Sequence, residues 1–151
     1  MPSNASRESF TPGFFERREV LAEKQRLYPE GAWFYERDGE GCGYFLTHPW
    51  KAGSIPPLDT MLGAVPSGGT YYLHDLALLP EARGMGAAGT IVSTVLTHAA
   101  ASGFRTATLV AVNNAQPFWT RHGFGIVDAP ELTGKLSAYE PAARLMQRAL
   151  G

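Results

Sequence analysis

A chain of 151 residues, 44% hydrophobic and 18% charged, is sized for one globular domain that buries a core without disulfides. A net charge of -1 excludes a general nucleic-acid or membrane-surface binder, which would carry a basic excess, so any anion binding has to be local. The single cysteine, Cys42, excludes an internal disulfide and a Cys-cluster zinc site, and no Asp/Glu/His spacing suggests metal. Its Gly-Cys-Gly-Tyr-Phe-Leu setting reads as a buried strand thiol, with a catalytic cysteine the minor alternative. The N-terminus lacks the apolar core of a signal peptide and no stretch approaches a membrane span, so a cytoplasmic or other reducing compartment is expected.

Residues 1–12 are polar and expected to be frayed, leaving a single domain over 13–151. Phe14 to Leu27 reads as a helix, with Phe14, Phe15, Val20, Leu21 and Leu27 roughly on one side, ended by Pro29-Glu30-Gly31. Ala32 to Arg37 is a strand, Asp38 to Gly41 a turn, and Cys42 to Thr47 its hairpin partner. Trp33, Phe34 and Tyr35 are expected mostly in the core. His48-Pro49-Trp50 then opens a long connection to Gly69 with four prolines, Pro49, Pro56, Pro57 and Pro66, and a short helix over Leu58 to Leu62. A loop of that length is often functional, and His48 with Trp50 would either recognise substrate or anchor the loop.

Tyr71 to Leu78 is the next strand. Alternation puts Tyr72, His74, Leu76 and Leu78 on one face and Leu73, Asp75 and Ala77 on the other. Residues 85–102 form a helix with Ile91, Val95, Leu96 and Ala99 as its buried stripe, stopped by Gly103. Thr106 to Val112 is an apolar strand suited to the middle of a sheet. Asn114 caps a short helix, Ala115 to Arg121, that ends at His122-Gly123. Phe124 to Val127 and Ala143 to Leu150 read as closing strands, although the composition of the second suits a helix equally.

The most informative stretch is Arg83-Gly84-Met85-Gly86-Ala87-Ala88-Gly89, between that strand and helix. Amides left free in a first helical turn, with the macrodipole behind them, attract an anion, and small residues let a phosphate reach the main chain. The chain is therefore expected to grip a phosphate-bearing ligand. A nucleotide binder is disfavoured: there is no Gly-Lys-Ser/Thr, and no acidic residue closes a strand about twenty residues on, as ribose recognition requires.

Two segments together resemble the GCN5-related N-acetyltransferase (GNAT) superfamily. Leu76 to Gly89 is similar to its pyrophosphate-binding segment, Arg/Gln-x-x-Gly-x-Gly/Ala, with Arg83, Gly86 and Ala88 at the defining positions. Val112 to Phe124 is similar to its second signature, an asparagine, a short helix and Gly-Phe. The likeness spans Tyr71 to Phe124, 54 of the 151 residues. It implies an α/β (α+β) acyl-CoA N-acyltransferase fold, a mixed and mostly antiparallel sheet flanked by helices. There is hardly room for the family's first strand, so an exposed edge, covered for example by a second copy in a homodimer, is expected.

The resemblance implies transfer of the acetyl group of acetyl-CoA to a primary amine of a small molecule or peptide, without nucleic-acid or membrane partners. Residues 84–89 (Gly84, Met85, Gly86, Ala87, Ala88, Gly89), with Arg83 at the rim, would hold the diphosphate. The backbone of Leu76, Ala77 and Leu78 would pair with pantetheine as an added strand. Asn113 or Asn114 would meet the pantetheine arm, and Phe118 and Trp119 would line the channel near the sulfur. His74 is the candidate base, since imidazole titrates near neutrality, against a core histidine as the plainer role. Asp75 reads as a structural hydrogen-bonding group. Trp119 stands where many relatives carry an acid tyrosine, and indole N–H cannot serve as an acid, so Tyr139 is the candidate replacement. The competing reading is a non-catalytic acyl-CoA-binding module of the same fold.

Overall fold

The computed structural model describes residues 8–9, 16–78 and 86–151. In chain order its elements are β1 (Glu8–Ser9), α1 (Arg18–Leu27), β2 (Ala32–Arg37), β3 (Glu40–Trp50), β4 (Thr70–Leu78), α2 (Ala87–Ala101), β5 (Thr106–Ala111), α3 (Gln116–Arg121), β6 (Gly125–Ile126), α4 (Thr133–Ser137) and β7 (Arg144–Ala149). Short 3-10 turns lie at Pro29–Gly31 and Pro130–Leu132. One sheet runs β2-β3-β4-β5-β7-β6, with β1 joined to β4. β4 and β5 pair in parallel and the other described pairs are antiparallel, the mixed sheet expected from the sequence.

β4 is buried along its whole length because the sheet is covered on both faces at its centre. One face meets α2 through Val92, Val95, Leu96 and Ala99, together with Tyr71, Leu73, Leu76, Leu78, Leu109, Trp119 and Met146. Fully burying side chains of this size stabilises by roughly 1.5–3 kcal/mol each. The other face, with Tyr72, Val110, Val112 and Leu145, packs under Ile55, Leu132 and Tyr139. Strict alternation between the two clusters along β5 and β7 shows a regular pleat there.

Several expectations are corrected. Arg17 is extended and precedes α1, because its amide and guanidinium are held by Asp59, so the helix starts at Arg18; Phe14 and Phe15 lie outside the described residues. β3 continues through His48-Pro49-Trp50, pairing with Tyr72, Tyr71 and Thr70. Pro49 is tolerated because β2 pairs with β3 only as far as Leu46, so a missing donor on that side breaks no ladder. No helix forms over Leu58 to Leu62: Asp59 is left-handed, and the amides of Leu62 and Gly63 are taken by the Glu23 carboxylate. α2 buries Val92 fully, with Ile91 at the margin. The N-cap of α3 is Ala115, since Asn114 is itself left-handed. Residues 144–149 resolve to a strand through a six-pair ladder with β5. On β2, Phe34 is 65% exposed while Trp33 and Tyr35 pack against the core. Within the stretch expected to be frayed, Glu8–Ser9 pairs with Leu78 and Ala77 rather than extending the edge at β2.

Gly69 is left-handed (φ +102°), and a Cβ there would stand 2.2 Å from the Trp50 carbonyl oxygen. Gly69→Ala is expected to destabilise by at least ~1–3 kcal/mol from backbone strain alone, read as a lowered urea midpoint. Gly41→Ala, which meets nothing within 4 Å, should leave the midpoint within about 0.5 kcal/mol.

Candidate active site

The site is built by two irregularities of β4. Its parallel pairing with β5 covers only Tyr71↔Ala107 and Tyr72↔Thr108, after which the strands part. The closed end is pinned by hydroxyls: Thr106 donates to Thr70 (2.9 Å), Thr70 donates to the Thr106 carbonyl (3.2 Å), and Thr70 and Thr108 hydroxyls lie 2.7 Å apart. On the other side, Leu46 pairs with Asp75 but Thr47 with Leu73, so His74 is the extra residue of a β-bulge. A bulge breaks the alternation of a strand and re-aims its side chains. The expected face assignment is therefore corrected: Leu76 and Leu78 share the α2 face with Tyr71 and Leu73, while His74 stays with Tyr72.

Around His74 lies a buried polar cluster. Its ring centroid is 5.4 Å from that of His48 and 5.7 Å from that of Tyr72. The Nε2 of His74 meets Glu16 Oε1 at 2.5 Å, and Glu16 Oε2 meets Lys24 Nζ at 3.3 Å, all three side chains being essentially sealed from solvent. Burial pushes the Glu16 carboxyl upward, but the facing His74 and Lys24 outweigh it and hold it below the ordinary carboxylate value. An ionised carboxylate only accepts, so His74 donates Nε2–H to it; its Nδ1 is buried and has no partner among the described residues. In the same way His48 donates Nδ1–H to the Pro49 carbonyl (2.8 Å), leaving a buried Nε2 without a described partner. Burial, and secondarily the His74 charge, lowers the His48 pKa to about 3, so this imidazole is neutral. Asp75 turns away and accepts from the Tyr44 hydroxyl at 2.6 Å, the structural role read from the sequence.

Tyr139 closes the other side of this cluster. Its hydroxyl donates to the Pro56 carbonyl (2.6 Å), and burial raises its pKa well above the usual phenol value. At the mouth of the fork stands the N-terminus of α2. Gly86 is its left-handed N-cap, no side chain among the described residues caps the first turn, and a Cβ on Gly86 would meet nothing described within 4 Å. Ala87 and Ala88 are buried; the imidazole of His122, at the C-cap of α3, lies 3.4 Å from where a Cβ on Gly89 would be. Arg83, Gly84 and Met85 lie outside the described residues. Asn113 and Asn114 are both left-handed at the end of β5. Phe118 is partly buried, and Trp119 is fully inside the core against Phe118 and Phe124. Ala77 and Leu78, on the side of β4 that β5 leaves free, are paired to β1.

A family model described as Acetyltransferase (GNAT) family matches residues 3–124. The chain belongs to the GNAT acetyltransferase family. Among curated proteins none matches. Solved GNAT structures share the fold at low identity. Ard1 from Thermoplasma volcanium has a TM-score of 0.69 at 14% identity, over 97% of this chain and 99% of that one. The GNAT-like decarboxylase GphF, in complex with isobutyryl-CoA, has a TM-score of 0.72 at 16% identity over 96% and 99%. A GNAT family acetyltransferase from Elizabethkingia anophelis with acetyl-CoA bound has a TM-score of 0.58 at 14% identity over 95% and 97%. Among the described residues of this GNAT chain, no group of three His, Cys, Asp or Glu is placed to hold a metal ion, and no helix is long and apolar enough to cross a membrane.

Sequence reasoning missed Glu16 and Lys24, and weighed His48 only as a loop residue. Nothing local marks Glu16, which sits in the charged run Glu-Arg-Arg-Glu; only its buried surroundings single it out. The signal for His48 was there in its cross-strand position opposite Tyr72, once β3 is extended.

His48 makes stability pH-dependent. The unfolded chain takes up this proton near pH 6.5, whereas the folded chain refuses it until about pH 3. Its contribution is thus whole above 6.5 and lost as the pH falls below it, with a slope of up to ~1.4 kcal/mol per pH unit. His122, lowered by burial and by Arg121 and Arg148, acts in the same direction. The urea midpoint should fall between pH 6.5 and about 5, before the paired carboxylates protonate, and His48→Gln should flatten that fall by about one proton.

Proposed function

We propose that the chain transfers the acetyl group of acetyl-CoA to an amine of a small molecule or peptide by direct attack. The observation that carries this is the fork between β4 and β5, with a helix N-terminus opened by a left-handed glycine at its mouth and, beside it, a histidine whose Nδ1 has no partner among the described residues. Amides of Gly86, Ala87, Ala88 and Gly89, with Arg83, Gly84 and Met85 ahead of them, hold the diphosphate of the carrier. The backbone of Leu76, Ala77 and Leu78 hydrogen-bonds its pantetheine arm as an added strand, with Asn113 or Asn114 and Phe118 across the fork. Trp119 supports that wall from within the core. Solved GNAT neighbours with CoA, acetyl-CoA or isobutyryl-CoA bound support an acyl-CoA co-substrate.

His74 removes the proton of the attacking ammonium, the amine nitrogen bonds to the thioester carbon, and the carbon–sulfur bond breaks to release CoA thiolate. Tyr139 is the candidate to return a proton to sulfur, for which its hydroxyl must turn from the Pro56 carbonyl. One observation favours a second reading, a binding module of the same fold: His74 is sealed from solvent in this arrangement.

The test is purified protein with acetyl-CoA and a panel of amines, amino acids and peptides, followed by CoA release. His74→Ala is expected to lower kcat/KM by roughly 10²-fold or more. Gly86→Val, which puts a branched side chain into the left-handed cap at the cradle, should weaken CoA binding at least ~10-fold. CoA binding without release on any amine would favour the module, and full CoA affinity in Gly86→Val would refute the cradle.

A further inference from the structure

Resting on the reading of His74 as the base, we propose that Glu16 is its positioning residue. The carboxylate holds the imidazole as the Nε2–H tautomer and leaves Nδ1 as the atom that receives the amine's proton. Three observations converge on this. Glu16 Oε1 is 2.5 Å from Nε2, so the ring is fixed at one nitrogen while the other, Nδ1, is buried without a described partner. Glu16 Oε2 is itself held by Lys24 Nζ at 3.3 Å, which balances a charge that burial alone would neutralise. The segment that follows Glu16 is anchored twice: Arg17, the next residue, binds Asp59 through its amide (2.7 Å) and guanidinium, and Glu23 of α1 takes the amides of Leu62 and Gly63.

The other groups facing this pair leave the role to Glu16. From β3 comes His48, neutral and committed through Nδ1 to Pro49; from β4, Tyr72; and from beyond α4, Tyr139, both phenols with raised pKa values. Asp75 is engaged with Tyr44. When the ammonium N–H breaks, its electron pair stays on nitrogen for attack and the proton goes to Nδ1. The imidazolium so formed already donates Nε2–H to a carboxylate.

Two measurements decide the point. In the wild-type protein with 15N-labelled histidine, side-chain NMR should show His74 protonated at Nε2 and bare at Nδ1 in the neutral form; an Nδ1–H tautomer would overturn the proposal without any activity assay. In Glu16→Gln, kcat should fall at least ~10-fold with the KM for acetyl-CoA unchanged, and the acid limb of the pH–rate profile should move to lower pH as the imidazolium loses its counter-charge. Glu16→Asp should keep the limb near its wild-type position. A profile unmoved in Glu16→Gln would overturn the role. His74→Ala at full rate would instead remove the base reading, which the NMR result on Glu16 does not depend on.

A different observation carries a second inference, which also rests on the acyl-carrier reading: we infer that Glu8–Ser9 and the pantetheine arm compete for the same edge of β4. Ala77 and Leu78 are bonded on one side to Tyr44 and Gly43 of β3, and on the side that β5 vacates they are paired with Ser9 and Glu8. A strand edge accepts one partner at a time, so a bound carrier and a docked β1 exclude each other and the apparent affinity is reduced by the fraction docked. In the full chain, the double substitution Glu8→Pro, Ser9→Pro removes both amides from that ladder. It should tighten CoA binding several-fold by calorimetry, and saturating CoA should speed amide exchange at residues 8 and 9 of the wild type. Unchanged affinity with exchange still slow under saturating CoA would overturn the inference. No binding by either protein would overturn the carrier reading and this inference with it.

Discussion

Between Leu46 and Thr47 the third strand advances by one residue while the fourth advances by two, and the surplus residue is His74. Were His74 paired in regular alternation instead of bulged out, Leu76 and Leu78 would point to the Tyr72 side of the sheet and the core beneath α2 would lose two of its fully buried leucines. With the bulge, an imidazole leaves the apolar pattern at the point where β4 departs from β5. The extra residue thus serves packing and chemistry together, and the local twist that a bulge adds suits the parting of the two strands.

A histidine placed so deep needs a partner, and the low dielectric of the core makes the choice costly if it is incomplete. Glu16 answers His74, Lys24 answers Glu16, and the helix that brings Lys24 is fastened to the proline-rich connection through Asp59 and Glu23. The chain of dependence therefore runs from a surface loop to the buried ring. Breaking a buried pair by removing one member typically costs about 3–5 kcal/mol. That connection is better understood as the brace of α1 than as a lid over the cluster.

How much of this was legible beforehand differs by feature. The order of elements and the glycine-led α2 follow from local patterns, apolar runs, a glycine-rich turn and a stop at Gly103, whereas the mixed sheet follows from the family resemblance. His74 stood out as an ionisable residue in an apolar strand. Its surroundings did not, because Glu16 is 58 residues away and a bulge leaves no mark in composition. His48 was hidden by Pro49, which argues against a strand until one knows that β2 has already ended there. The short helix expected at Leu58 to Leu62 failed for a related reason: distant Glu23 claims the amides that a local helix would use. Contacts and strand pairings distant in sequence, not local propensities, decided these departures.

The threonine seam at Thr70, Thr106 and Thr108 has one more implication. Among the described residues the hydrogen-bonded seam between β4 and β5 is two residue pairs and three hydroxyls, so the ladder is divided into two half-sheets sharing a narrow pivot. One half bears the imidazoles, and the other leads into Trp119 and its aromatic neighbours. Rotation about that pivot alters the gape between them while each half keeps its own hydrogen bonds. Such a rotation leaves the ladders of β3 with β4 and of β5 with β7 intact, so the gape between the halves is set by the apolar core they share beneath α2.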